Sequence, residues 1–393
     1  MTDTVPVTRI PRLYCPIPFA VHPDAEEINK AGLKWLSGFR LYNCEKQWKR
    51  YVSAKPGMLP AHVMPRAPRG PALQAAANLL FWLWAFDDLE CDEAGDDLSA
   101  GNLTLLLCDL ARVVEAPSGR SAANPILATL ADLRRQLEEV ATPVQVARWA
   151  SAMQAYFLAN TGVAIQNQRH LVPDLDTYVT LRIHSGAVKP TLMLLDVADG
   201  YELPPAELER PEIWALNEMV CAIVGWDNDV LTYHKEVIRG GADHNLVTVL
   251  SRENNCSPAE AVAQAVEMRD RALDLFLRLR EQVAADAGPD LLRYLTGLSS
   301  WIRGHLDWGM ATARYRNPEN PAHLPRSLAA EPSVHDQRPL PVPSIAWWWR
   351  QLRPVEAMAP PLVTRLPRTP LTPVATLSDV ARPSRPAASQ MQR

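Results

Sequence analysis

Glycine is scarce in this 393-residue chain, with 17 in all, and it is rare inside the apolar segments. Strand-like alternation is equally sparse, so the chain reads as helical rather than as sheet. The six cysteines (Cys15, Cys44, Cys91, Cys108, Cys221, Cys256) form no CxxC pair, and the nine histidines include no HExxH. Neither a zinc site nor a disulfide framework is therefore indicated. Long hydrophobic runs are missing too. The longest, Ala75–Phe86, is broken by Asn78 and leads directly into acids. It is too short to cross a bilayer, which excludes stable membrane insertion. The opening residues lack the basic-then-apolar pattern of a secretory signal, so a reducing, cytoplasmic location is expected. Nor is there a surplus of positive charge. The formal net charge is −4, and nine arginines against four acids in residues 321–393 leave about −9 for the preceding residues. An acidic body argues against nucleic acid as a partner.

Proline is abundant but uneven, with 14 of 35 in residues 321–393. Residues 24–316 carry helix formers and helical periodicity. Helices are expected near 24–41, 71–93, 100–115, 123–140, 143–168, 175–183, 186–199, 208–239, 257–286 and 290–316. Two starts are sharply marked, Thr142-Pro143-Val144-Gln145 and Ser257-Pro258-Ala259-Glu260. Each places a hydroxyl at the cap, Pro at the first helical position and Gln or Glu three residues on. The expected fold is all-α. Residues 1–23 pack over a helical bundle spanning 24–318, and 319–393 form a largely disordered Pro/Arg-rich tail. Within that tail Trp347-Trp348-Trp349 is an apolar cluster that should seek a surface, most readily the chain's own bundle. A chain ending near Leu324 is expected to fold and turn over.

Three constellations carry chemistry. Asp87, Asp88 and Asp92 end the apolar helix Ala75–Phe86, with Asp88 and Asp92 on one face. Clustered carboxylates repel unless a cation sits among them, and hard oxygen ligands suit Mg²⁺. Asn228, Thr232 and Glu236 recur at i, i+4, i+8, so an amide oxygen, a hydroxyl and a carboxylate converge on one helical face. Lys235 lies beside them, within reach of a phosphate. The third set is cationic: Arg182 before the helix break at Ser185-Gly186, and Arg314-Tyr315 six residues after Trp308.

Together these motifs resemble the bacterial class I terpene synthases over residues 8–318. That family has an aspartate-rich motif, an Asn-Asp-x-x-Ser/Thr-x-x-x-Glu triad, an arginine 46 residues before the triad and a late Arg-Tyr pair. Here 46 positions separate Arg182 from Asn228. The resemblance implies a single helical bundle around a central apolar cavity. It also implies three Mg²⁺ ions, two at Asp87 and its neighbours and the third at Asn228, Thr232 and Glu236. Arg182, Lys235, Arg314 and Tyr315 would bind the diphosphate, and the Gly186 carbonyl would face the leaving allylic centre. Two departures stand out. The acidic motif is the Asp-Asp-x-x-x-Asp form, and Ser185 replaces an Asp that often precedes the glycine, which weakens the expected link to Arg182.

The implied reaction is ionisation of a linear isoprenyl diphosphate and cyclisation of the carbocation. Farnesyl diphosphate and a sesquiterpene hydrocarbon or alcohol are the first choice, with geranyl, 2-methylgeranyl and geranylgeranyl diphosphates as alternatives. Aromatic faces stabilise such a cation, and Phe81, Trp84, Phe157 and Trp308 are the candidates. A chain-elongating synthase would need a second aspartate-rich motif where Asn228–Glu236 stands. A non-catalytic helical scaffold with a partner-binding tail is the reading from another class. Assembly as a homodimer is left open.

Overall fold

A computed structural model describes residues 9–87, 100–116, 124–239, 242–316 and 323–353. Its helices are α1 (Ala25–Ser37), α2 (Glu45–Ser53), α3 (Met58–Val63), α4 (Pro71–Phe86), α5 (Ala100–Glu115), α6 (Pro125–Val140), α7 (Pro143–Gln168) and α8 (Leu175–Ser185). There follow α9 (Val188–Leu192), α10 (Leu195–Ala198), α11 (Pro205–Leu208), α12 (Pro211–Arg239), α13 (Leu246–Glu253), α14 (Pro258–Ala284) and α15 (Pro289–Ala311). Both sequence-marked starts close as reciprocal capping boxes, Thr142 with Gln145 and Ser257 with Glu260. Asn124, Asp174 and Asn245 cap α6, α8 and α13 through their side-chain oxygens. Orphaned first-turn N–H groups are satisfied in each case.

The middle helix, α12, is buried on nearly every side: residues Ala215, Leu216, Met219, Val220, Ala222 and Ile223 are all fully enclosed. A helix apolar all round belongs in a core, and α8, α9, α14 and α15 surround it. At Gly304 of α15 a Cβ would lie 2.6 Å from the backbone of His62, so α3 and α15 approach this closely only because the side chain is absent.

Three differences from the sequence reading have physical reasons. α2 and α3 occupy 45–63, where Pro56, Gly57 and Pro60 mask the helical period. The single helix expected over 186–199 is two short ones: Ala187, in the left-handed region (φ 59°), sets the break between α8 and α9, and the non-helical Leu194 (φ −107°, ψ 3°) separates α9 from α10. Residues 246–253 form α13, a helix only eight residues long.

The larger correction concerns the tail. Residues 323–352 do not behave as a disordered extension, and one compact unit runs to Leu352. Proline removes internal hydrogen bonds from this segment, so its polar groups are met by the bundle instead. Ser333 N donates to Asp270 (2.8 Å), Ser344 N to Asp176 (2.8 Å), and Arg271 donates to the Arg338 and Pro339 carbonyls. Residues 343–351 form a 3₁₀ helix that buries Ile345 and Trp348 completely. Trp348 Nε1 donates to Glu218 of α12 (2.8 Å). The N-terminal segment packs alongside: Leu13 and Cys15 are buried, and Tyr14 forms an isolated parallel bridge with Ala329. Residues 354–393 lie outside the described residues.

Candidate active site

Three consecutive residues of α12 point three ways, because successive helical positions turn by about 100°. Asp227 points to α14, where Arg269 Nε donates to it (2.7 Å) and a further Arg269 N–H donates to the Tyr14 carbonyl. Burial, with Asp270 nearby, pushes the Asp227 carboxyl up to about 6 despite Arg269. Asp229 points to α8 and α13. It accepts from Arg182 (2.5 Å), Tyr178 OH (2.5 Å) and Leu246 N (2.8 Å). Asn228, between them, faces a cavity. Two buried carboxylates thus fix the rotation of the helix that presents the Asn228, Thr232, Glu236 stripe.

Arg182 reaches this stripe directly. Its Nη2 donates to the Gly225 carbonyl (3.2 Å), Asn228 Oδ1 (2.9 Å) and Asp229 Oδ1. Burial opposes its charge, but Asp229, Tyr178 and Glu236 outweigh burial and raise its pKa above the arginine value. Ser185 is not what holds Arg182: its Oγ is buried and meets no partner among the described residues. The anchor is Asp229, inside the triad segment. Sequence reasoning passed over Asp229 and Tyr178, although the 46-residue spacing that drew attention to Asn228 nearly equals the spacing to Asp229.

Glu236 Oε1 accepts from Thr232 Oγ1 (2.5 Å) and its Oε2 from Asn245 Nδ2 (2.9 Å). Burial and the Asp229 charge raise the Glu236 pKa. Across the cavity, Arg314 Nη2 donates to Asp87 Oδ2 (3.0 Å), and Asn228 Nδ2 donates to Tyr315 OH (2.5 Å). Arg314 also lies over the Trp84 ring, 5.6 Å from its centroid.

The cavity measures about 230 Å³. Its walls change character along each helix. Leu80, Leu83 and Trp84 lead to Asp87 on α4. Val224 leads to Asn228, Thr232 and Glu236 on α12. Trp301 and His305 lead to Trp308 on α15. Lys235, Ser185, Gly186, Arg314 and Tyr315 also line it. The Trp84 and Trp308 rings meet at 4.5 Å between centroids. Phe81 and Phe157, expected among the pocket aromatics, do not line this cavity. Phe81 is fully buried against Gly32 of α1, where a Cβ would stand 2.3 Å from the ring. Phe157 is buried beside Tyr156, and it is Tyr156 that lines the space. In each case the aromatic that reaches the cavity is a near neighbour on the same helix. Asp88 and Asp92 lie outside the described residues.

The donor set suits a hard divalent cation. Asn228 Oδ1, Thr232 Oγ1 and the Glu236 carboxylate are oxygen donors on successive turns, and both hydrogen-bond donors to Glu236 are neutral. A partly buried anion whose hydrogen-bond partners among the described residues are neutral gains from a cation beside it.

The comparisons with known proteins agree with this geometry. Residues 78–274 match the family model described as terpene synthase family 2, C-terminal metal binding. The chain is 37% identical over 356 residues to (+)-(1(10)E,4E,6S,7R)-germacradien-6-ol synthase of Streptomyces pratensis, covering 90% of this chain and 100% of that one. It is 38% identical over 354 residues to a (+)-T-muurolol synthase of Streptomyces clavuligerus, described as cyclising (2E,6E)-farnesyl diphosphate, with 87% and 82% covered. The crystal structure of the SVS_A2 protein from ancestral sequence reconstruction superposes with a TM-score of 0.79 at 31% identity, over 87% of this chain and 98% of that one. These relatives place the chain among lyases that act on diphosphate substrates. The chain belongs to the bacterial class I terpene synthases and is a terpene cyclase. Membership removes the non-catalytic scaffold as a reading.

Proposed function

We propose that the enzyme takes farnesyl diphosphate and, with Mg²⁺, cyclises it to a sesquiterpene hydrocarbon or alcohol, releasing diphosphate. The observation that carries this reading is the convergence of Arg182, Asn228, Tyr315 and the Asp87–Arg314 pair on one end of a cavity that Leu59, Leu80, Leu83, Val224 and Trp301 also line. The T-muurolol synthase relative, described as acting on farnesyl diphosphate, supports the choice of substrate. Asp87, with Asp88 and Asp92, and the Asn228, Thr232, Glu236 stripe would hold the ions, three in all. Bound Mg²⁺ supplies positive charge against which diphosphate becomes a competent leaving group. Arg182, Lys235, Arg314 and Tyr315 donate hydrogen bonds to the departing oxygens, and their fixed positions need no reorganisation as charge develops. The Gly186 carbonyl turns its dipole toward the allylic carbon. The strained backbone at Ala187 is consistent with a carbonyl held where the reaction needs it. Leu80, Leu83 and Val224 exclude water, while the faces of Trp84 and Trp308 stabilise the cation without bonding to it.

Incubation with geranyl, farnesyl and geranylgeranyl diphosphates separately, with Mg²⁺ or with EDTA, tests the proposal. Product analysis by gas chromatography–mass spectrometry should show a C15 product from farnesyl diphosphate and none in EDTA. A clear preference for another chain length overturns the substrate assignment.

Two substitutions probe the roles. Arg182→Lys is expected to lower kcat by about 10²-fold, the scale of losing one fixed donor, since an ammonium does not reproduce a planar fork. Unchanged turnover would reduce Arg182 to a structural ion-pair partner of Asp229. Trp308→Leu is expected to change the product mixture more than the rate of diphosphate release, because a π face is lost and an apolar wall kept. Identical product ratios would assign Trp308 to packing alone.

A further inference from the structure

The proton that leaves at the end of the reaction needs an acceptor, and one lining residue is placed for it. Trp301, His305 and Trp308 recur at i, i+4, i+7 on α15, and all three line the cavity. His305 is three residues before Trp308, about 4.5 Å along the axis toward the apolar end. It is 4% exposed, and its Nδ1 is enclosed without a hydrogen-bond partner among the described residues. Its ring centroid is 6.2 Å from that of Trp308 and 6.4 Å from that of Tyr315. An unpaired buried nitrogen is costly and calls for a reason.

The other basic groups on the described walls are engaged or stand at the charged end. Asp229 is bound by Arg182 and Tyr178, Glu236 by Thr232 and Asn245, and Asp87 by Arg314. His244 packs at a tilt against Tyr178, beside the Asp229–Arg182 pair, where diphosphate rather than hydrocarbon would meet it. His305 alone among the described lining residues offers a base against the hydrocarbon end.

We infer that His305 is the terminal proton acceptor of the cyclisation. This rests on the cyclase reaction above. For an alkene product, the C–H bond beside the cationic carbon breaks and its electron pair forms the carbon–carbon double bond. The proton goes to the imidazole. For an alcohol product, a water oxygen bonds the cationic carbon, its O–H bond breaks and the proton goes to the same imidazole. The imidazolium then passes the proton to the diphosphate released in the first step. Burial and the charges of Arg182 and Arg269 press the His305 pKa down to about 3, so the ring starts each cycle neutral and gives its proton up readily.

The test uses full-length enzyme, farnesyl diphosphate and Mg²⁺, with His305→Phe and His305→Gln compared with the parent. Diphosphate release and product yield are measured in the same reactions, and folding is followed by circular dichroism. The parent's main product per diphosphate released should fall at least about 10-fold in both variants, since general bases contribute about 10²–10⁴-fold. Other alkenes or alcohols should take its place. Reactions in ¹⁸O-labelled water identify the donor: label in the parent's product assigns the proton to water, and its absence assigns it to carbon. Retention of the parent's yield and ratio in folded His305→Phe, which keeps a ring but no base, overturns the inference and leaves a space-filling role. A parent that releases no diphosphate from farnesyl diphosphate fails the substrate proposal instead, which separates the two.

Discussion

Glu236→Ala is expected to lower kcat by on the order of 10³-fold, at the upper end of what losing one preorganised electrostatic partner costs. The Glu236 carboxylate is the only formal negative charge in the Asn228, Thr232, Glu236 stripe. It is partly buried, and desolvation and the Asp229 charge raise its pKa. Raising the folded-state pKa above the unfolded value means that the ionised group opposes folding near neutral pH. The charge is therefore held at a cost to stability, which a cation offsets. Removing it should leave the helical signal intact and change stability by no more than about 1 kcal/mol, because both hydrogen bonds lost are to neutral donors. Asn228→Ala should lose activity similarly. It removes the oxygen that accepts from Arg182 and the amide that donates to Tyr315 OH, so two diphosphate-side groups lose their common support. Diphosphate release measured at saturating Mg²⁺ checks both variants. Near-normal turnover in both would remove the stripe from the ion-binding scheme.

The stripe was legible because helical geometry converts i, i+4, i+8 into one face, whatever that face packs against. Capping boxes at Thr142 and Ser257 were legible for the same reason: their chemistry is local. What could not be read was contact between elements. Asp229 and Tyr178 hold Arg182, but no periodicity links α8 to α12, and Asp229 falls one residue off the stripe. The pocket aromatics show the same limit. Phe81 and Trp84 lie three positions apart on an almost wholly apolar helix, and only packing against Gly32 of α1 decides which faces the cavity. The short α2, α3 and α13 were hidden by prolines or by having too few turns to display a period. In residues 323–352 composition misled, because proline content reports the absence of internal hydrogen bonds and not the absence of partners.

Trp348→Ala is accordingly expected to destabilise the enzyme by about 3–5 kcal/mol, the range for emptying a buried large aromatic site. The indole is completely buried, and its Nε1–H is the donor to Glu218 Oε2 on α12. Truncation leaves a cavity and removes a hydrogen bond from a carboxylate that also accepts from Trp214 (2.9 Å). Trp348→Phe keeps most of the apolar contact and should cost less. The position matters for function because the 3₁₀ helix packs on both α8 and α12, and Ser344 N donates to Asp176 on α8. Those two helices carry Arg182 and Asn228, whose contact sets the diphosphate end of the cavity. A chain ending near Leu324 loses Leu340, Val342, Ile345 and Trp348 from the core at once, and exposes the apolar surface they cover. It should therefore fold poorly or aggregate, contrary to what proline content alone suggests. Urea unfolding of Trp348→Ala and of this truncation, read by fluorescence and circular dichroism, checks the argument. A chain ending at Leu324 that unfolds at the same urea concentration as the full protein would show that the segment covers the bundle without holding it together.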